Sequence, residues 1–132
     1  MSDYTISTRE DARDYMEGYE GFGEMLSHTD SLDAEQVALT WRRMPPGTGG
    51  RGSYGHRHRT QEEICLVTAG TVTFKVGDDV FAAGPGTAVR IAPPALRSIH
   101  NDGDDDAEIV LCSVRVEDPE SEVVTEDGFW PD

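Results

Sequence analysis

The sequence predicts an all-β, antiparallel fold of sandwich or barrel type, and three observations carry that prediction. Apolar and polar residues alternate with a period of two in several short segments, the mark of strands that turn one face to a core. Glycine, proline and aspartate clusters punctuate those segments at short intervals, as tight turns require. The strand segments follow one another without the intervening helical patterns, roughly 10–15 residues each, that a parallel βαβ layout needs.

In chain order, residues 4–7 read as a short first strand, and Ser7-Thr8-Arg9-Glu10 carries a capping-box pattern that starts a brief helix to about Tyr15. Residues 18–33 mix glycine, aspartate and aromatics without a period, so they read as loop with a short strand near 22–26. Residues 36–44 alternate, with Val37, Leu39 and Trp41 on one face and Gln36, Ala38, Thr40 and Arg42 on the other. That is the pattern of a half-buried strand, and Pro45-Pro46-Gly47 ends it. Strands follow at 64–69 and 71–76, broken at Gly70; Val72, Phe74 and Val76 share one face, Thr71, Thr73 and Lys75 the other. Gly77-Asp78-Asp79 turns the chain into a strand at 80–83, and Gly84-Pro85-Gly86 into another at 87–91. Pro93-Pro94 forces a loop before the last two segments, 97–101 and 108–116. The acidic stretch 117–132 reads as extended, with Phe129 and Trp130 able to dock on the surface. The resulting organisation is an N-terminal strand and irregular segment (1–35), a β-barrel (36–116) and an acidic C-terminal tail (117–132).

A chain of 132 residues is long enough for one domain with its own core. The balance of 26 Asp and Glu against 11 Lys and Arg leaves a formal net charge of -15, a field that repels nucleic acid and anionic membrane. No apolar run approaches a membrane span, and the first ten residues lack a signal-peptide core, so a cytoplasmic location is expected. Lys75 is the sole lysine and aspartates cluster at 102–106, a surface like that of proteins from salt-adapted cytoplasms. Cys65 and Cys112 lie in apolar strand segments, where a small buried hydrophobe is the expected role. Between Glu35 and Glu62 there is no carboxylate, whereas Arg42, Arg43, Arg51, Arg57 and Arg59 all fall there. Those arginines either pair with acidic groups elsewhere or form a positive rim that draws anions.

That basic stretch surrounds the sequence Gly50-Arg51-Gly52-Ser53-Tyr54-Gly55-His56-Arg57-His58-Arg59-Thr60-Gln61-Glu62-Glu63. Two histidines one residue apart on an extended chain point the same way, and a carboxylate brought round to them completes a divalent-metal site. Glu63 lies five residues beyond His58, so a turn or bulge at 59–61 must reset the strand phase. Glu62 is then left outside.

The frame Gly50, His56, His58, Glu63 and Gly70, followed by Gly86, Ala92, Pro94, Arg97 and Asn101, resembles the two motifs of the cupin superfamily. The likeness is to small single-domain cupins of the conserved-barrel type. It spans residues 50–101 and implies a jelly-roll barrel with His56, His58 and Glu63 at its open end. It also implies the homodimers common among cupins, in which residues 4–7 would be exchanged or packed. This sequence departs from the family pattern at Arg97, which stands where the second motif has a histidine.

A guanidinium has no lone pair for a metal, so Arg97 permits two arrangements. In one, His56, His58 and Glu63 hold a divalent transition metal, Mn, Fe, Ni or Zn, and Arg97 anchors a small anionic ligand beside it, with Cys65 lining the pocket. Dioxygenase- or isomerase-type chemistry would then be open to the protein. In the other, no metal binds and Arg97 pairs with Glu63 in a non-catalytic binding or sensing module. His100 falls on the opposite strand face from Arg97 and would need a bulge to serve as a ligand.

Overall fold

The structure is a computed structural model that describes residues 3–132. Eleven strands and one short helix form among them: β1 (Arg13–Asp14), β2 (Glu24–Ser27), β3 (Val37–Met44), β4 (Ser53–His58), β5 (Glu63–Ala69), β6 (Val72–Val76), β7 (Asp79–Ala83), β8 (Ala88–Ile91), β9 (Arg97–His100), β10 (Ala107–Val114), α1 (Pro119–Glu122) and β11 (Val123–Trp130). They build two antiparallel sheets, ordered β1-β2-β3-β10-β5-β8 and β11-β4-β9-β6-β7, the two walls of the expected jelly-roll barrel. No helix here is long and apolar enough to cross a membrane.

The strand segments from 36 to 114 appear where the alternation and the turn residues place them. Gly70 shows why a turn residue is needed between β5 and β6. Its φ of +70° is left-handed, and a Cβ there would lie 2.5 Å from the carbonyl oxygen of Asp106.

Three neighbouring strands share one gradient along the barrel axis. Inward-facing side chains run from a packed end at Met44 and Ala107, each 0 % exposed, through the levels of Arg42, Ile109 and Val67 and of Thr40, Leu111 and Cys65, to an open end at Ala38, Ser113 and Glu63. At the packed end Phe74, Val72, Ile91 and Ala83 from β6, β7 and β8 complete the core. Burying each such large apolar side chain stabilises the fold by about 1.5–3 kcal/mol, which lets the other end of the barrel stay hollow.

Four sequence expectations are revised. Residues 4–7 form no strand and join no ladder. The helix expected from Ser7 is a turn: Asp11 Oδ2 accepts from Thr8 N and Oγ1, both at 2.9 Å, and β1 follows directly. Asp14 Oδ1 then accepts from Met16 N at 2.9 Å and Met25 N at 3.0 Å, which ties the chain to β2 as a strand instead of a second helical turn. The segment 117–132 is extended but is no free tail, because α1 leads into β11, which pairs with β4 at the edge of the five-stranded sheet. There Phe129 and Trp130 are buried. Phe129 lies against Gly55, where a Cβ would come within 2.3 Å of the ring. Finally, the apolar face of β3 points out of the barrel: Arg42 pairs in register with the buried Ile109, while Val37 is 48 % exposed.

Candidate metal centre

His56 and His58 alternate along β4 and face the barrel interior from the five-stranded sheet. Residues 59–62 then carry the chain to the opposite wall, where β5 begins at Glu63. The change of sheet resolves the phase conflict read from the sequence, since the inward side of β5 confronts the inward side of β4.

The turn that makes this crossing is held by Glu122, a residue the sequence reading missed. Its carboxylate accepts from Thr60 N, from Gln61 N at 2.6 Å and from Thr60 Oγ1 at 2.9 Å. Arg59 adds bonds from its N to the Glu122 carbonyl at 3.0 Å and from its Nε to the Ser121 carbonyl at 2.8 Å. Asp118 caps α1 by accepting from Glu120 N at 3.2 Å, with Pro119 behind it. That Asp-Pro pair is the one local signal of an ordered element in the acidic segment.

Ligand-capable atoms of His56, His58 and Glu63 lie within 4.8 Å of one another. Gln61 Nε2 donates to the Val114 carbonyl at 2.5 Å, which turns the amide so that Oε1 faces His58 Nδ1 at 2.9 Å. Nδ1 therefore carries the proton, and the lone pair sits on Nε2. That Nε2 is buried without a partner, 3.9 Å from Glu63 Oε2. Bonds of about 2.1 Å to a shared ion set neighbouring donors roughly 3 Å apart, so the group fits a transition metal after a small closure. Burial pushes His56 down to about 4, helped by Arg97, His58 and Arg42. Burial also lowers His58, against the opposing pull of Glu63. Both imidazoles are therefore neutral at pH 7, the form that binds metal.

Arg97 is the cross-strand neighbour of His56 and is 1 % exposed. Its Nη1 donates to the carbonyls of Pro93 at 3.2 Å and Ala95 at 2.9 Å. Its Nε approaches Glu63 Oε1 only to 3.8 Å, so the ion pair is loose, and Nε and Nη2 both lack a hydrogen-bond partner. Cys65 is buried in the same place. Burial and the adjacent Glu63 carboxylate push its thiol up to about 12, which makes it an inert wall.

Other polar residues fall outside the centre. His100 Nδ1 accepts from Arg51 N at 3.3 Å, and its ring meets Trp130, so it lies on the far face of β9 as the strand phase requires. Asn101 is a structural clamp, donating from Nδ2 to the Met44 and Asp105 carbonyls, both at 2.8 Å. Of the basic stretch, Arg43 pairs with Glu24 and Asp106, and Arg51 pairs with Asp102. Arg42 does neither; it turns inward.

Two spaces meet at Glu63. A mouth of about 710 Å³ opens to solvent past His58, Gln61, Thr40, Ser113 and Arg115. Deeper lies a cavity of about 80 Å³ bounded by Arg42, His56, Cys65, Arg97 and Ile91. The donor group thus stands between an open vestibule and a small inner chamber.

Comparison with known proteins extends the picture. The profile of the Cupin domain family matches residues 40–114. No curated protein sequence matches the chain. Among solved structures, a cupin protein from Bacteroides fragilis is similar at 20 % identity, with 89 % of this chain and 88 % of that one covered and a TM-score of 0.69. A sugar phosphate isomerase from a cupin superfamily, from Silicibacter pomeroyi, is similar at 17 % identity over 93 % and 83 % of the two chains, with a TM-score of 0.67. A predicted oxalate decarboxylase from Thermotoga maritima is similar at 18 % identity over 85 % and 100 %, with a TM-score of 0.66. At these identities the likeness is one of fold.

Proposed function

The chain belongs to the cupin superfamily, and from that premise we propose that it holds one divalent transition metal, Mn, Fe, Ni or Zn, on His56, His58 and Glu63 and receives a small anionic molecule beside it. The observation that carries this reading is the His58 ring. Its tautomer is set by Gln61, and its lone-pair nitrogen is buried, unpartnered and aimed at Glu63. A buried acceptor left without a donor is costly, and a metal ion removes that cost.

A bound metal would supply Lewis acidity toward a chelating oxygen ligand. The chain's own residues supply the rest: Gln61 orients His58, Glu63 balances charge, and Arg97 draws and aligns the anion. Two of the similar structures are named for small anions, a sugar phosphate and oxalate, which is compatible with isomerase- or dioxygenase-type chemistry on an anionic substrate. The test is metal analysis of untagged protein, before and after incubation with Mn, Fe, Ni and Zn salts. Close to one equivalent supports the reading. Less than about a tenth of an equivalent of every metal sinks it, given the tight binding such ligands show.

The 3.8 Å approach of Arg97 to Glu63 favours a second reading, a metal-free binding or sensing module whose pocket is organised by that ion pair. Arg97→His separates the two. In the metal reading it raises metal occupancy and weakens anion binding; in the ion-pair reading it only destabilises the fold.

The protein is further proposed to act as a homodimer through the outer face of its six-stranded sheet. Val37, Trp41, Ile64, Leu66, Val110 and Val114 lie on that face, pairing in register across β3, β10 and β5. Its charges occur as both signs, including the Arg90–Glu62 pair at 2.5 Å. Two copies of a chain with net charge -15 can therefore meet there without local like-charge repulsion.

A further inference from the structure

Two arginines from opposite walls of the barrel converge on the inner cavity. Arg97 enters from β9 in the five-stranded sheet and Arg42 from β3 in the six-stranded sheet. The carbonyls of Pro93 and Ala95 hold Arg97 by Nη1 and so leave its other edge, Nε and Nη2, unbonded and buried. That edge is the two-pronged donor that matches a carboxylate in a plane. Arg42 presents a second buried donor, Nε, also without a partner, and it forms no ion pair among the described residues.

The local charge does not close. Two guanidinium groups face the single carboxylate of Glu63, which reaches neither hydrogen-bond distance of Arg97 nor any contact with Arg42 short enough to count as an ion pair. A cation on the three ligands would deepen the excess. Arg43, Arg51 and Arg90 all find carboxylates on the surface of this acid-rich chain, so the loose pairing of Arg97 and the lack of an ion pair for Arg42 do not reflect a shortage of acids. Buried donors of charged groups that are left unsatisfied persist where something else completes them.

We propose that the inner cavity is a carboxylate site: the head group of a small carboxylic acid binds two-pronged on Nε and Nη2 of Arg97 and is capped from the other wall by Arg42. The volume of about 80 Å³ equals roughly the liquid share of two to three water molecules, enough for a carboxylate and the atom or two behind it. The larger part of a longer ligand would extend past Glu63 into the mouth. Arg42 is then a ligand-binding residue of this chain, and discrimination by size is set by Cys65 and Ile91, which close the chamber.

This inference rests on the anionic-ligand part of the proposed function and names its class. Its failure and that of the metal reading are distinguishable, because the binding test runs on EDTA-treated full-chain protein. Calorimetric titration with sodium formate, sodium acetate and inorganic phosphate, at constant ionic strength, should give saturable binding of formate or acetate in the millimolar range. Arg42→Met should weaken it by about tenfold or more, and Arg42→Lys, which keeps the charge but loses the fork, should fall between. The melting temperature guards against a folding artefact: without anion Arg42→Met should melt at or above the parent, and added acetate should raise the parent and not the variant. No saturable binding to the parent overturns the proposal. So does unchanged affinity in Arg42→Met, or phosphate binding more tightly than either carboxylate.

Discussion

Glu122→Gln tests the most consequential contact that lies away from the metal ligands. Glu122 is 6 % exposed, and its carboxylate accepts from Thr60 N, Thr60 Oγ1 and Gln61 N, the turn that carries the chain from β4 to β5. Glutamine keeps the volume and an Oε1 that can still accept from Thr60 N, Thr60 Oγ1 and Gln61 N, but it removes the negative charge that strengthens those bonds. A hydrogen bond to a charged group contributes about 1.5–3 kcal/mol against about 0.5–1.5 for a neutral one, so the buried Gln61 N–H loses about 1 kcal/mol and the exposed Thr60 groups less. The expected destabilisation is about 1–2 kcal/mol, read as a urea midpoint lowered by roughly 0.5–1 M. The pH dependence adds an independent check. Burial pushes the Glu122 carboxyl up, but the bonds from Thr60 and Gln61 outweigh it and hold the group below its ordinary 4.5. A depressed acid contributes stability above its unfolded value and loses it as pH falls through the folded one. The parent should therefore weaken below pH 4.5 more steeply than the variant. Because Gln61 also sets the His58 tautomer, metal affinity should drop by about 10–100-fold. If the urea midpoint, the acid limb and the metal affinity of Glu122→Gln all overlay those of the parent, the argument for this latch is refuted.

His56, held at about 4 against an ordinary 6.5, binds fewer protons folded than unfolded in that interval. Metal-free protein should thus lose about 2–3 kcal/mol as pH falls from 6.5 to 4, and His56→Asn should flatten that slope in urea titrations taken at each pH. Leu66→Glu together with Ile64→Glu, two exposed positions on the outer sheet face, should shift sedimentation to the monomer without unfolding; an unchanged mass would remove that face as the interface. With a net charge of -15, the melting temperature should climb as KCl is raised toward molar levels, and a flat or falling curve would show that self-repulsion is not a leading cost.

What the sequence determined by itself is local. Period-two alternation and turn chemistry mark β3 and β5 to β10, because side-chain direction along a strand and the φ a turn demands depend on neighbouring residues alone. The two-histidine spacing and the Glu63 position likewise identify a candidate donor set before any folding is known. Tertiary structure decided everything that depends on which wall a strand joins. The apolar face of β3 lies outside because the sheet as a whole places Arg42 opposite Ile109, a choice no single strand can encode. Glu63 meets the histidines because residues 59–62 change sheets, and that turn is secured by Glu122, sixty residues away in the chain. The lone pair on His58 Nε2 and the free edge of Arg97 follow from the Gln61 amide in that turn and from carbonyls brought in by β10 and the 93–95 loop. Residue type named the candidates; long-range packing chose which atoms were left without partners, and those atoms give the site its chemistry.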